Sequence, residues 1–300
     1  VVTGAARYLL PIPSPSDSAG HQVPPVVAMI KTTLGPGRRR LLGSGLGWAA
    51  WSGMATSLGL GGCAWRLPPA GELPPGTEHP KVLPFSDAGA AANAVPPGWH
   101  SYAMRRDLAH TRYRLVHDGD QRVLHARADS AATGLRCQVR IQPQQHPLLR
   151  FSWRVRQVPA QATVEVPERD DCPARVILAF DGDPARLPLR DRLFFEQVEL
   201  FTGQRLPFAM LMYVWDGALP PDSLTHNHRT KRIQYLTVES GPQHVGQWRR
   251  YQRDVVADYQ RAFGEAPGDI ISVGVLTDSD ALKLDLEAWY GDIELAARGS

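Results

Sequence analysis

Along residues 149–156 every odd position is apolar (Leu149, Phe151, Trp153, Val155) and every even position is polar (Arg150, Ser152, Arg154, Arg156). That two-residue period is the mark of a strand with one buried face. Residues 113–116, 123–128 and 135–141 alternate in the same way over shorter lengths. Residues 175–180, 210–215 and 270–276 are almost continuously apolar, as strands covered on both faces are. Residues 233–238 and 287–295 complete the predicted strands. One segment breaks the period: Val255, Val256, Tyr259 and Phe263 fall at helical spacing, with Gly264 where a C-terminal cap would stand. Residues 183–205 are charged and rich in turn formers, and predict a long surface loop. A single short helix among so many strands predicts an all-β fold, a jelly-roll-like β-sandwich.

The N-terminal quarter follows a different pattern. Arg38, Arg39 and Arg40 precede residues 41–62, which carry no charge and are rich in Gly, Ser and Ala. A membrane span needs about 20 predominantly apolar residues, and so many glycines argue against one. Paired arginines before a mildly apolar run resemble a twin-arginine export signal, and Leu60-Gly61-Gly62-Cys63 resembles a lipobox with Cys63 as the lipidated residue. This divides the chain into 1–28, an upstream extension or disordered tail; 29–62, the signal; 63–81, a Pro/Gly-rich tether; and 82–300, the β-sandwich domain. The expected location is the periplasm, with the lipid anchored in the outer membrane because Ala64 follows the cysteine.

Charge changes once the signal is set aside. The whole chain has a formal charge of +3, but residues 1–62 hold five of its 33 Lys and Arg and one of its 30 Asp and Glu. The remaining 28 basic and 29 acidic residues give no large positive field, which argues against nucleic acid as a partner. Besides Cys63, the only thiols are Cys137 and Cys172. An oxidising compartment would allow them to form a disulfide; otherwise they are two small buried hydrophobes.

Three groups of residues could carry chemistry. Asp278 and Asp280 bracket a serine after an apolar strand, with Asp292 on a neighbouring strand. Three carboxylates converging there would suit a hard cation such as calcium, or else satisfy turn amides. Asp170 and Asp171 stand just before Arg175, where they could orient a polar ligand or form a structural ion pair. Trp248, Trp289 and Tyr290 have polar neighbours and could offer ring faces to a sugar, whereas Trp153 and Trp215 lie in apolar strands and read as core. His226-Asn227-His228 reads as a surface loop. No Gly-x-Ser-x-Gly elbow occurs in the mature chain.

Four segments carry a family resemblance: Pro97-Gly98-Trp99; residues 170–175 (Asp-Asp-Cys-Pro-Ala-Arg); residues 258–267; and Thr277-Asp278-Ser279-Asp280 followed by residues 288–293. Together they resemble the bacterial family of domain of unknown function 3047. The resemblance implies an exported protein and brings no activity. A looser likeness is to carbohydrate-binding β-sandwiches, on Phe85-Ser86-Asp87, Gly98-Trp99 and Asp292-Ile293. Ligand binding without chemistry, with a glycan as ligand, is therefore the leading expectation. A glycan hydrolase or lyase on the same fold, and a structural envelope protein, are the alternatives.

Overall fold

A computed structural model describes residues 78–87, 89, 94–103, 108–202 and 205–299. The expected signal, Cys63 and most of the tether lie outside the described residues. Among the described residues, thirteen strands and two α-helices follow one another as β1 (Trp99–Ala103), β2 (Arg112–Asp118), β3 (Gln121–Asp129), β4 (Ala132–Ile141), β5 (Leu148–Val155), β6 (Arg175–Phe180), α1 (Leu189–Thr202), β7 (Ala209–Asp216), β8 (Leu224–His226), β9 (Ile233–Ser240), β10 (Arg249–Asp254), α2 (Val255–Phe263), β11 (Ile270–Asp278), β12 (Asp285–Tyr290) and β13 (Glu294–Ala296). They form a sandwich of two sheets, as the alternation predicts. One sheet has the order β1-β4-β11-β6-β7-β9-β8 and the other β10-β5-β12-β3-β2, with β13 on β5. All pairings between these strands are antiparallel except β7 with β9.

The core lies between the sheets. Leu135, Cys137, Val176, Leu178, Leu211, Tyr213, Trp215, Val273 and Val275 face Leu124, Ala126, Leu149, Phe151, Trp153, Val155, Ala288 and Tyr290 across it. Trp153 and Trp215 are fully buried, as expected for core residues. Polar tips cross the same space: the Tyr290 hydroxyl donates to the Leu276 carbonyl at 2.9 Å and shares a 2.8 Å bond with Thr277 Oγ1. Tyr290 is thus an internal strut with no accessible face, which corrects its assignment to a ligand platform.

The two thiols are free and buried on opposite faces of one sheet. Cys137 sits in the inter-sheet core, in register with Trp99 and Val273. Cys172 packs with Ile177, Met212, Val214 and Tyr235 on the outer face of the seven-stranded sheet. The expected disulfide is therefore replaced by two separate buried thiols, each pushed up from the ordinary thiol value, chiefly by burial.

The helix at Val255–Phe263 forms where the spacing placed it. The Asp254 carboxylate accepts from the Ala257 amide at its N-terminus, and Gly264 takes the left-handed cap at φ 71°. The predicted loop over 183–205 is corrected: it contains α1, so the sandwich carries two helices. Pro188 precedes α1 and no Gly or Pro interrupts it, which suits a helix. Its apolar residues lie all round the cylinder, so no one-sided stripe announces it.

Candidate functional site

On the outer face of the six-stranded sheet, strand register places Arg114, His125, Trp289 and Arg154 in one row. The Trp289 ring stacks on His125 at 4.9 Å and 29°, and the Arg154 guanidinium lies 4.5 Å from the indole centroid. Trp248 joins from the loop before β10, its ring 5.5 Å from the same guanidinium. Asp118 fixes this group, accepting from Trp248 Nε1 at 2.6 Å and from Arg154 Nη2 at 3.1 Å. Trp248 and Trp289 do come together, but around an arginine of their own chain. Burial, partly opposed by Glu287, lowers the His125 pKa and favours the neutral ring.

The outer face of the seven-stranded sheet is organised differently. Gly134 on β4 leaves a gap in the sheet surface that the Tyr102 ring fills: a Cβ built there would stand 2.4 Å from the ring. Gly274 on β11 lies beside it, and the Arg136 guanidinium is 5.7 Å from the Tyr102 centroid. The Tyr102 hydroxyl pKa is pushed up to about 12, mainly by burial. Two depressions meet at this tyrosine. One, of about 240 Å³, is lined by Tyr102, Gly134, Pro167, Asp170, Asp278 and Asp280, among others. The other, of about 50 Å³, includes Arg136, Ile177, Arg205 and Gly274.

Arg175 lies buried behind the larger depression, bonded to two of the acids that line it. Only 3 % of Arg175 is exposed. Its Nη2 donates to Asp278 Oδ2 at 2.8 Å, Asp278 Oδ1 at 3.0 Å, Asp170 Oδ1 at 2.9 Å and the Asp170 carbonyl at 3.0 Å. Its buried Nε has no hydrogen-bond partner among the described residues. Tyr235 lies under the guanidinium, 5.7 Å from it, and its hydroxyl meets Asp170 Oδ2 at 3.4 Å. The neighbouring carboxylates hold Arg175 firmly charged, against burial that works the other way. Asp278 is pushed up to about 7, because burial and the nearby acids outweigh the guanidinium and the Cys172 amide.

Asp171 faces the other way along the chain. Its two oxygens accept from the Ala281 and Leu282 amides at 3.0 and 2.7 Å, folding the β11–β12 loop back over the site. Burial raises its pKa as well. Asp171, Asp278 and Asp280 each bring one oxygen within 4.8 Å of the others, the only such group of potential metal ligands among the described residues. The carboxylate trio of the sequence reading is therefore corrected in one member. Asp292 lies past β12, and its Oδ1 accepts from the Phe85 and Ser86 amides at 2.7 and 3.0 Å. It pins the entering chain, while Asp171 stands beside Asp278 and Asp280.

Asp170, Asp171, Arg175, Asp278 and Asp280 are legible in the sequence as short motifs, whereas Tyr102, Tyr235 and Arg136 join the site only through the fold. A signal was present, since a glycine inside a strand often marks a close approach, and Gly134 and Gly274 both stand inside strands.

A family model described as "Protein of unknown function (DUF3047)" matches residues 97–294. No curated protein matches the chain. Among solved structures, the family 11 carbohydrate-binding module of the cellulase Lic26A-Cel5E of Clostridium thermocellum is 8 % identical, with a TM-score of 0.36 over 72 % of this chain and 94 % of that one. The K2 cleaved adhesin domain of Lys-gingipain is 9 % identical, with a TM-score of 0.34 over 72 % and 97 %. The family 30 carbohydrate-binding module of the C. thermocellum cellulase Cel9D-Cel44B is 9 % identical, with a TM-score of 0.30 over 74 % and 96 %.

Proposed function

The chain belongs to the DUF3047 family, and from that premise we propose that it is an exported, lipid-anchored protein that binds a glycan beside Tyr102 without transforming it. Export and anchoring rest on the arginine cluster, the uncharged run and Cys63. One observation carries the binding reading: a single depression is lined by a half-buried aromatic ring, Tyr102, next to the carboxylates of Asp170, Asp278 and Asp280. A sugar needs both features, an apolar surface for its C–H face and acceptors for its hydroxyls. At about 240 Å³ the space falls below the roughly 300 Å³ at which drug-sized pockets begin, which suits one sugar unit of a longer chain.

The hydrolase alternative has one point in its favour, the raised pKa of Asp278, since perturbed acids in clefts are frequent in catalysis. The geometry favours binding instead. Asp170 and Asp278 grip the same Nη2 of Arg175, so they do not flank an open gap as a glycosidase pair does.

Calcium belongs to the same proposal, held by Asp171, Asp278 and Asp280. Ionised, these three with Asp170 set four negative charges against one guanidinium, and a divalent cation would relieve the excess. The test is a glycan array probed with the full chain, with and without calcium. Binding to one glycan class, weakened by chelation, is expected. Turnover of the bound glycan, or no binding to any class, would overturn the reading.

A further inference from the structure

α1 meets the sandwich through Asp191, buried and bonded to Thr230 at 2.7 Å, and through Phe195, which packs against the core. Leu189, Leu193 and Leu200 recur at helical spacing on the other side, where they are 63, 56 and 79 % exposed. No other leucine among the described residues is so exposed. Three leucines aligned toward solvent have no role in holding this fold.

The surface beside them is basic. A pocket of about 230 Å³ is lined by Arg190, Arg229, Lys231, His226 and His228, together with Asp191, which Thr230 already engages. None of Arg190, Arg229 and Lys231 has a carboxylate within salt-bridge distance among the described residues, whereas Arg127, Arg140, Arg175, Arg232 and Arg253 all do. Arg190, His228 and Arg229 also border the leucine face, together with one carboxylate, Glu196, so the apolar stripe and the basic pocket form one continuous surface on which cations outnumber acids.

We propose that this surface docks onto an anionic lipid bilayer, with Leu189, Leu193 and Leu200 entering the acyl boundary and lipid phosphates seated against Arg190, Arg229 and Lys231. Exposed leucines beside cations that no carboxylate neutralises are the combination that interfacial binding requires, because apolar insertion and phosphate attraction act together; Arg229 keeps only the Phe194 ring, 5.8 Å from its guanidinium. The path of the chain fits. Glu78, where the described chain begins, is tied through Arg140 to Asp181, which opens the lead into α1. A chain anchored upstream of Glu78 thus enters the sandwich next to the segment that carries the helix. The docking face uses none of Tyr102, Asp170 or Asp280, and it stands or falls apart from the glycan reading.

Hydrogen exchange of the full chain with vesicles tests the proposal and localises the contact. Vesicles of phosphatidylglycerol and phosphatidylcholine should slow exchange at residues 189–202 and 226–231, and phosphatidylcholine alone should not. In Arg229→Gln/Lys231→Gln, the lipid concentration giving half-protection should rise about thirty-fold, at about 1 kcal/mol per cation and about 1.4 kcal/mol per tenfold. Leu189→Ser/Leu193→Ser/Leu200→Ser should lose the protection while keeping the wild-type melting temperature. Cosedimentation with vesicles but unchanged exchange in both segments would overturn the proposal. So would protection of 226–231 by inorganic phosphate with no vesicle effect, which would mark a soluble anion site. Slowing of α1 with protein concentration alone would mark a second copy of the chain and overturn it equally.

Discussion

At the scale of single residues, Asp278 links stability to pH. Its pKa of about 7 stands above the ordinary 3.8, with burial as the main cause, so folding favours its neutral form. That contribution is complete below about pH 4 and is lost as pH rises through about 7. The melting-temperature difference between the wild type and Asp278→Asn should therefore shrink or reverse from pH 5 to pH 8, because asparagine does not titrate; calorimetry across that range is the check. Calcium should flatten the same curve by favouring the ionised carboxylate. Asp292 has a different task. Its carboxylate accepts from Phe85 N, Ser86 N and Ser86 Oγ. Asp292→Ala should cost about 1–2 kcal/mol in urea unfolding, as loss of a comparable cap does, and should leave glycan and calcium binding intact.

Elements show where the sequence was legible and where it was not. β6 begins and ends where its apolar run does, and α2 is announced by Val255, Tyr259, Phe263 and Gly264. β10 gave no such sign: Arg249 and Tyr251 both bond Glu239, and Arg253 bonds Asp258. β10 pairs with β5 in an ordinary ladder and Tyr251 stacks on Phe151, but Arg249 and Arg253 on either side of Tyr251, held by carboxylates, leave no apolar alternation to read. α1 escaped for the opposite reason, since its leucines face solvent. The acidic half of the site was legible as short motifs, while the third carboxylate depended on loop geometry that brings Asp171, not Asp292, beside Asp278. Tyr102 depended on the space that Gly134 leaves. Gly134→Ala should drive the Tyr102 ring off the sheet, since the added methyl would lie 2.4 Å from it. The expected outcome is lost glycan binding with the circular dichroism spectrum kept.

For the molecule as a whole, the two outer faces differ in how their aromatics are held. The six-stranded face closes two indoles on one arginine, with Arg154 between Trp248 and Trp289, while on the seven-stranded face Tyr102 has Arg136 at 5.7 Å and also lines the acidic depression. The proposed ligand lies on the second face. Titration calorimetry of the full chain with its bound glycan, comparing Tyr102→Ala and Trp248→Ala, tests that placement most directly. Loss of a stacked ring and its hydrogen bond, about 1–2 kcal/mol together, should weaken binding about tenfold in Tyr102→Ala, while Trp248→Ala binds like the wild type. Wild-type affinity in Tyr102→Ala with loss in Trp248→Ala would contradict the account and place the ligand on the six-stranded face.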